Sequence, residues 1–196
     1  MDVGGLLRDP LSRRRFFHMS GIGFAGGSAV FLAACGDDTK SPNATTAPDE
    51  SDEADVGILN SALDLELMAV AAYKAGAAKL TGDVLKVGKL FLEQEQEHAD
   101  GLTSAIKDAG GTPNKARSSY DFPKLGSQTD VLRFAIDIEN TAIAAYIDAL
   151  PKLGQGDLRA TAAAIVSNEA EHISVLLGAL GEQQVPDAFV VGKVPA

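Results

Sequence analysis

The 196-residue chain contains one cysteine, no tryptophan and three histidines. A single cysteine excludes a framework of intramolecular disulfides. Basic residues are also scarce, because 17 lysines and arginines stand against 27 aspartates and glutamates and leave a formal charge of −10. Binding to phosphate backbones needs clustered basic side chains. We therefore expect no nucleic-acid partner.

The first 34 residues have the features of an export signal. Ser12–Phe17, with three arginines, resembles the twin-arginine consensus, and a Gly-rich apolar stretch from Met19 to Ala34 follows it. That stretch is shorter than the roughly 20 residues that a membrane span needs. Leu32–Cys35 matches the bacterial lipobox. We predict that residues 1–34 are removed and that Cys35 carries lipid, although a buried thiol in an N-terminal helix is the other interpretation.

The remaining chain has a helical organisation. Residues 35–54 are polar and acidic, which is typical of a flexible linker. Apolar residues then recur at helical spacing in four stretches, roughly 55–80, 84–109, 129–150 and 157–180, before a tail at 181–196. The first and last connections are short, and the middle one, 110–128, is long. This order predicts an all-α fold, a four-helix bundle of two antiparallel hairpins joined by a crossover.

Each histidine outside the leader follows a glutamate by three residues. The two segments are Glu95-Gln96-Glu97-His98 and Glu169-Ala170-Glu171-His172. Positions i and i+3 share a helix face, so each segment could offer a carboxylate oxygen and an imidazole nitrogen to one metal. Taken alone, one such segment is more often a solvated surface pair than a metal site. Glu97 and Glu171 point away from that face, and we interpret them as surface charges.

Residues 58–80 are repeated at 131–153, with ten of 23 positions identical. The repeat aligns Glu66 with Glu139 and Tyr73 with Tyr146. In a register one residue longer, the two Glu-x-x-His segments also align. The chain therefore predicts two copies of one hairpin around a pseudo-twofold axis, each with a lone glutamate and a Glu-x-x-His segment. Asp64 and Asp137 are repeated too, and we expect them at the surface.

The lone glutamates, Glu66 and Glu139, lie in strongly apolar stretches. Buried carboxylates are unfavourable unless they are paired, protonated or bound to metal. Four inward carboxylates and two imidazoles make a mixed oxygen and nitrogen set that suits iron or manganese. This arrangement is that of the di-iron and di-manganese carboxylate bundles.

On this pattern, residues 55–180 resemble the ferritin-like superfamily, which includes bacterioferritin and the di-iron domain of rubrerythrin. Ser119–Pro123 is similar to a segment of the bacterial ferritin-like domains related to desiccation proteins. The chain has no Cys-x-x-Cys motif, so it lacks the rubredoxin module of rubrerythrins. No fifth helix is evident after Gly181, and a tethering linker suits a closed storage cage poorly, which makes iron storage a weaker expectation.

The resemblance implies a centre with two Fe (or Mn) ions. One ion would be held by Glu66 and His98 and the other by Glu139 and His172, with Glu95 and Glu169 bridging both. Relatives use tyrosines placed like Tyr73 and Tyr146 as hydrogen-bond partners of ligands or as redox neighbours. Core tyrosines with satisfied hydroxyls are the alternative. All six ligands lie in one chain, so the site does not require a homodimer, although it allows one.

Two functions are consistent with these features. The first is a lipid-anchored protein on the outer face of the cytoplasmic membrane, in the cell envelope, which oxidises Fe(II) or consumes O₂ or peroxide in iron handling or oxidative stress. The second is a non-catalytic envelope protein in which the bundle is a structural or interaction module and the metal is a staple or has been lost. The complete ligand set favours the first, and the anchored acidic linker favours the second.

Overall fold

The computed structural model describes residues 50–192, and their side chains from residue 53 onwards. Four α-helices make up this part of the chain, namely α1 (Glu50–Gly76), α2 (Gly82–Asp108), α3 (Gln128–Ala149) and α4 (Gly156–Ala179). A short 3₁₀ turn, Ala77–Lys79, extends α1. No strand occurs among residues 50–192, so the all-α prediction is confirmed. The predicted signal and Cys35 lie outside the described residues.

Glycines end two of the helices where the sequence placed the breaks. Gly110 follows α2 with a φ of 77°, and Gly181 follows α4 with a φ of 74°. A positive φ is accessible to glycine without a steric penalty. The next residues then donate back into the helices, Gly111 N to Ile106 O at 2.8 Å and Glu182 N to Leu177 O at 2.9 Å. These backbone bonds satisfy carbonyls that the last helical turn leaves open.

The helices pair as the connection lengths predict. The helix α1 packs along α2, and α3 packs along α4, while α1 also lies against α3. Residues 109–127 form the long crossover between the hairpins. Within it, Phe122 packs edge-on against Phe134 of α3 at a ring-centroid distance of 5.3 Å and stacks with Tyr120 at 5.6 Å. Phe122 therefore attaches the crossover to the bundle.

Two larger apolar clusters fill the interior, one toward each end, and a third, of Ala69, Ala72 and Ile138, packs against Phe122 and Phe134. The first contains Leu59 and Leu63 of α1 with Leu102 and Ile106 of α2, among others. The second contains the buried side chains Tyr73, Phe91, Leu132, Ala135 and Leu176. Along each helix, the predicted ligand positions fall between residues of these two clusters. The polar side chains are therefore held in the middle of the bundle with apolar packing on both sides.

The helix α1 is unusually apolar. Residues Glu53–Lys79 are long and apolar enough to cross a membrane by length and composition, since an 18-residue window within them has a mean hydropathy of 1.3. Here the segment packs against α2 and α3, and its buried leucines belong to the core. It also carries Glu66, which is buried with 1% exposure. Its place in the bundle core accounts for its hydropathy.

Candidate metal centre

Each of the four helices brings one buried glutamate to the centre of the bundle. Their exposed fractions are 1% or less at Glu66 (α1), Glu95 (α2), Glu139 (α3) and Glu169 (α4). Two imidazoles accompany them, His98 from α2 and His172 from α4. A helical spacing of three residues places each histidine on the same face as the glutamate that precedes it. The structure thus brings all six residues named by the sequence into one cluster.

The first half of the cluster surrounds His98. Its Nδ1 lies 3.1 Å from Glu169 Oε1, 3.5 Å from Glu66 Oε2 and 3.8 Å from Glu95 Oε2. Ligand atoms of these four residues all lie within 4.8 Å of one another, a spacing that could hold one metal ion. Because Glu169 comes from the other hairpin, this half is completed across the interface between the two repeats.

The second half surrounds His172 in the same way. Its Nδ1 lies 3.1 Å from Glu95 Oε1, 3.2 Å from Glu169 Oε2 and 3.3 Å from Glu139 Oε1. These four residues form a second group with metal-ligand spacing. Glu95 and Glu169 belong to both groups, and each directs one of its oxygens toward His98 and the other toward His172. These two glutamates are therefore the side chains that the two groups share.

The donor atoms converge but are poorly bonded to one another. Among residues 53–192, seven buried side-chain atoms lack a hydrogen bond, and all belong to this cluster: Glu66 Oε2, Glu95 Oε1, His98 Nδ1, Glu139 Oε2, both Glu169 oxygens and His172 Nδ1. The nitrogen–oxygen distances are those of ion pairs, yet the groups are not aligned as hydrogen bonds. Leaving buried polar atoms unpaired is costly. Atoms that converge on a common point instead of on each other fit a bound cation.

Each tyrosine holds a glutamate of the opposite hairpin. The Tyr73 hydroxyl of α1 donates to Glu139 Oε1 on α3, and the Tyr146 hydroxyl of α3 donates to Glu66 Oε1 on α1. Both tyrosines are buried. Each bond occupies one oxygen of the lone glutamate and leaves the other, Oε2, unbonded. The tyrosines thus fix the orientation in which Glu66 and Glu139 present a free oxygen.

Burial and mutual charge shift the protonation of the metal-free cluster. Burial raises the pKa of Glu66 to about 8 and the pKa of Glu139 well above its ordinary value, and the charge of Glu169 adds to both shifts. Burial disfavours the charged form of both imidazoles and lowers their pKa. The carboxylates around them outweigh burial and raise the pKa of His98 to about 12 and that of His172 to about 11. Both imidazoles, Glu66 and Glu139 therefore carry protons at neutral pH.

The carboxylate of Glu169 is shifted in the opposite direction. Burial disfavours its charge, but the neighbouring His172 and His98 outweigh burial and lower its pKa to about 2. Tyr73 and Tyr146 stay protonated, because burial and the adjacent carboxylates raise the pKa of both hydroxyls well above the ordinary value. The tyrosines therefore act as hydrogen-bond donors across the neutral pH range.

Sequence reasoning missed two residues that hold His172. The ring of Phe91 stacks on the imidazole at a centroid distance of 3.9 Å, and Gln94 Oε1 lies 2.9 Å from Nε2. Gln94 directly precedes Glu95, and Asn168 stands at the same place before Glu169. The amide side chain directly before each of these glutamates was the signal in the repeat that could have identified Gln94.

The neighbouring acidic residues lie outside the cluster. Glu97, Glu171 and Asp137 are exposed. Asp64 is half-buried, and its Oδ2 accepts a bond of 3.1 Å from Asn114 Nδ2 in the crossover. None of the four belongs to either group with metal-ligand spacing. Their carboxylates therefore serve as surface or loop contacts.

Three cavities lie near the cluster, and they differ in what they reach. A cavity of about 460 Å³ lies between the C-terminal tail and the outer faces of α3 and α4, and none of the six cluster residues lines it. A smaller cavity of about 300 Å³ is lined by Tyr73, Leu132 and Leu176 among other, mostly apolar, residues. A third cavity, of about 270 Å³, is lined by Tyr146, so each of these two smaller cavities reaches a tyrosine that bonds a cluster glutamate.

Comparisons with known proteins agree with this architecture. A conserved hypothetical protein from Mycobacterium tuberculosis has a similar structure, with a TM-score of 0.62 at 22% identity over 65% of this chain and 97% of that one. A protein from Bacillus anthracis described as a ferritin-like, diiron-carboxylate protein gives 0.59 at 23% identity over 67% of this chain and 99% of that one. At these identities the likeness shows the fold alone. No curated protein sequence matches the chain.

A match in sequence shows the family. The sequence pattern of the ferritin-like domain family matches residues 54–182, which are more than half of the chain and include all six cluster residues. The chain therefore belongs to the ferritin-like domain family.

Proposed function

We propose that this chain binds two Fe (or Mn) ions in the buried cluster and uses them to oxidise Fe(II) or to consume O₂ or peroxide. The observation that carries the proposal is the set of seven buried, unbonded donor atoms that all belong to the two overlapping groups of glutamates and histidines. The diiron-carboxylate description of the Bacillus anthracis neighbour supports it. Iron handling or protection from oxidative stress is the biological context.

The charge balance of the donor set fits two divalent ions. Four carboxylates and two neutral imidazoles carry four negative charges, which two divalent cations neutralise. A buried cluster of uncompensated charge would be strongly unfavourable. Oxygen and imidazole donors without thiolates suit iron and manganese. In this proposal Glu95 and Glu169 bridge the ions, Glu66 and His98 complete one position, and Glu139 and His172 complete the other.

The residues around the ions have separate tasks. When bound, the metal pair supplies electrons and open coordination positions for an oxidant. Tyr73 and Tyr146 hold Glu139 and Glu66, so that each presents one oxygen to the centre. The two apolar clusters above and below exclude water. The cavity of about 300 Å³ ends at Tyr73 and offers a mostly apolar approach for a small oxidant.

The test is the aerobic addition of Fe(II) to the purified chain, followed by metal analysis and near-ultraviolet ferric absorbance. We expect about two metal ions per chain and oxidation faster than autoxidation. The Glu95→Ala and Glu169→Ala variants should lose both. Glu97→Ala and Glu171→Ala are matched controls, because these exposed neighbours lie on the same helices. Metal binding without oxidation would favour the non-catalytic envelope protein, and less than one ion per chain would overturn the dinuclear centre.

We also propose that the protein is exported folded and anchored by lipid on Cys35 to the outer face of the cytoplasmic membrane. The twin-arginine pattern and the lipobox support this, since they occur in the right order in the sequence. The Cys35→Ser variant should move from the membrane fraction to the soluble fraction while its cluster still binds metal. Equal distribution of both proteins between the fractions would contradict the lipid anchor.

A further inference from the structure

The two halves of the candidate centre differ in burial and in spacing. The side chain of His98 is 12% exposed, whereas that of His172 is 1% exposed. The distances from His172 Nδ1 to three carboxylates span only 3.1–3.3 Å. The corresponding distances from His98 spread from 3.1 to 3.8 Å. The half around His172 is therefore the tighter and drier of the two.

The His172 imidazole is also held on its outer side. Gln94 Oε1 lies 2.9 Å from its Nε2, and an amide oxygen can only accept a hydrogen bond. This contact places a proton on Nε2 and leaves Nδ1, in the neutral imidazole, with a free lone pair that can bind a cation. The stacked ring of Phe91 fixes the plane of the imidazole. Nδ1 is thereby aimed into the cluster before any cation arrives.

The other half lacks both supports. In the register that aligns Glu95 with Glu169, Gln94 corresponds to Asn168 and Phe91 to Ile165. Asparagine is one methylene shorter, and among residues 53–192 no hydrogen bond joins Asn168 to His98. Isoleucine offers no ring to stack on an imidazole. The tyrosine contacts are the same in both halves, so they do not account for the difference.

We propose that Gln94 is a positioning residue that makes the position of Glu139 and His172 the tight metal position of the pair. The position of Glu66 and His98 is then the weaker, exchangeable one, which opens to solvent beside His98. This inference rests on the proposed metal binding and adds an order of filling to it. Partners of this kind that orient a ligating histidine typically change metal affinity by about 10- to 100-fold.

The test is a titration of the full-length chain with Mn²⁺ alone under anaerobic conditions. Calorimetry measures the heat of binding, and electron paramagnetic resonance measures the free Mn²⁺. The wild-type protein should bind in two distinguishable steps. Gln94→Leu should weaken the tighter step by about 10- to 100-fold and leave the weaker step unchanged. Gln94→Glu, which keeps an acceptor for the Nε2 proton, should restore most of the tighter step. Thermal unfolding of the metal-free variants should stay near that of the wild type.

Two further variants make the result independent of one substitution. Asn168→Gln supplies the missing methylene and should strengthen the weaker step. Gln96→Leu is the matched control, because Gln96 lies on the same helix but is exposed and bonds Asp100. Two equal steps in the wild type would overturn the inference while leaving the dinuclear centre intact. So would a Gln94→Leu variant that weakens both steps alike or neither. Failure of the wild type to bind Mn²⁺ at all would overturn the proposed metal binding as well.

Discussion

At the scale of single residues, the cluster carries four protons where the proposed centre carries two cations. Both imidazoles, Glu66 and Glu139 are protonated at neutral pH in the metal-free protein, because the pKa values of all four groups are raised. Four protons bring the same charge as two divalent ions. Metal and protons therefore compete for the same oxygen and nitrogen atoms.

Metal binding should consequently release protons and strengthen with rising pH. The groups with raised pKa values bind protons throughout this range, and protons compete more strongly with metal as the pH falls. Acidification from pH 7.5 to 5.5 should therefore expel the metal. We expect about four protons released per two ions near pH 6.5. Calorimetric titrations in two buffers of different ionisation enthalpy measure this number. Release of fewer than about two protons would contradict the protonation described for the cluster.

The six cluster residues could be predicted from the sequence, but their supports could not. Helical spacing and the repeat place Glu66 and Glu139 on faces that must meet, because both lie in apolar stretches. Gln94 has no such pattern, since its contact with His172 depends on how α2 and α4 pack. The crossed tyrosine contacts also depend on how the helices pack, because each hydroxyl bonds a glutamate of the other hairpin.

At the scale of elements, a buried carboxylate connects the start of α1 to the start of α4. Asp55 is 1% exposed and accepts hydrogen bonds from Gly154 N at 2.8 Å and Gln155 N at 3.4 Å. Amides at a helix N-terminus have no partner within the helix, so an acceptor there stabilises its first turn. This contact fastens the two hairpins at the end of the bundle.

Removing this carboxylate should loosen the bundle without touching the cluster. We expect Asp55→Ala to lower the free energy of unfolding by about 1–3 kcal/mol, because it removes the hydrogen bonds that this buried carboxyl group accepts from Gly154 N and Gln155 N. Urea unfolding of the metal-free protein measures the change. Asp137→Ala, at an exposed position of α3, should stay within about 0.5 kcal/mol of wild type. Equal losses in the two variants would show that Asp55 does not fasten the hairpins.

The helices themselves were more predictable than their beginnings. Gly110 and Gly181 end α2 and α4 because only a residue that tolerates positive φ fits there. The start of α1 at Glu50 lies earlier than the predicted start near 55. Residues 50–54 are polar and acidic, as in a linker, but acidic side chains near a helix N-terminus also stabilise it. Composition alone does not separate these two roles.

At the scale of the whole molecule, four buried glutamates lower the stability of the metal-free fold, and bound metal should restore it. A ligand that binds only the folded state stabilises it by about 2.7 kcal/mol at 100 times its dissociation constant. We expect excess Mn²⁺ to raise the midpoint of thermal unfolding by roughly 5–10 °C. Differential scanning calorimetry with and without Mn²⁺ measures the shift. The Glu95→Gln, Glu169→Gln double variant keeps the side-chain volumes and should show no shift, whereas an equal shift would place the bound ion elsewhere.

The crossed tyrosine contacts also bear on how such a molecule is assembled. Tyr73 holds a carboxylate of the second hairpin, and Tyr146 holds one of the first. Neither hairpin by itself contains a full set of donors for either position, since each position includes one glutamate from the other hairpin. The chain is thus equivalent to a dimer of hairpins fused by the crossover. Because the two repeats lie in one chain, their sequences can differ, and the first has Phe91 and Gln94 where the second has Ile165 and Asn168.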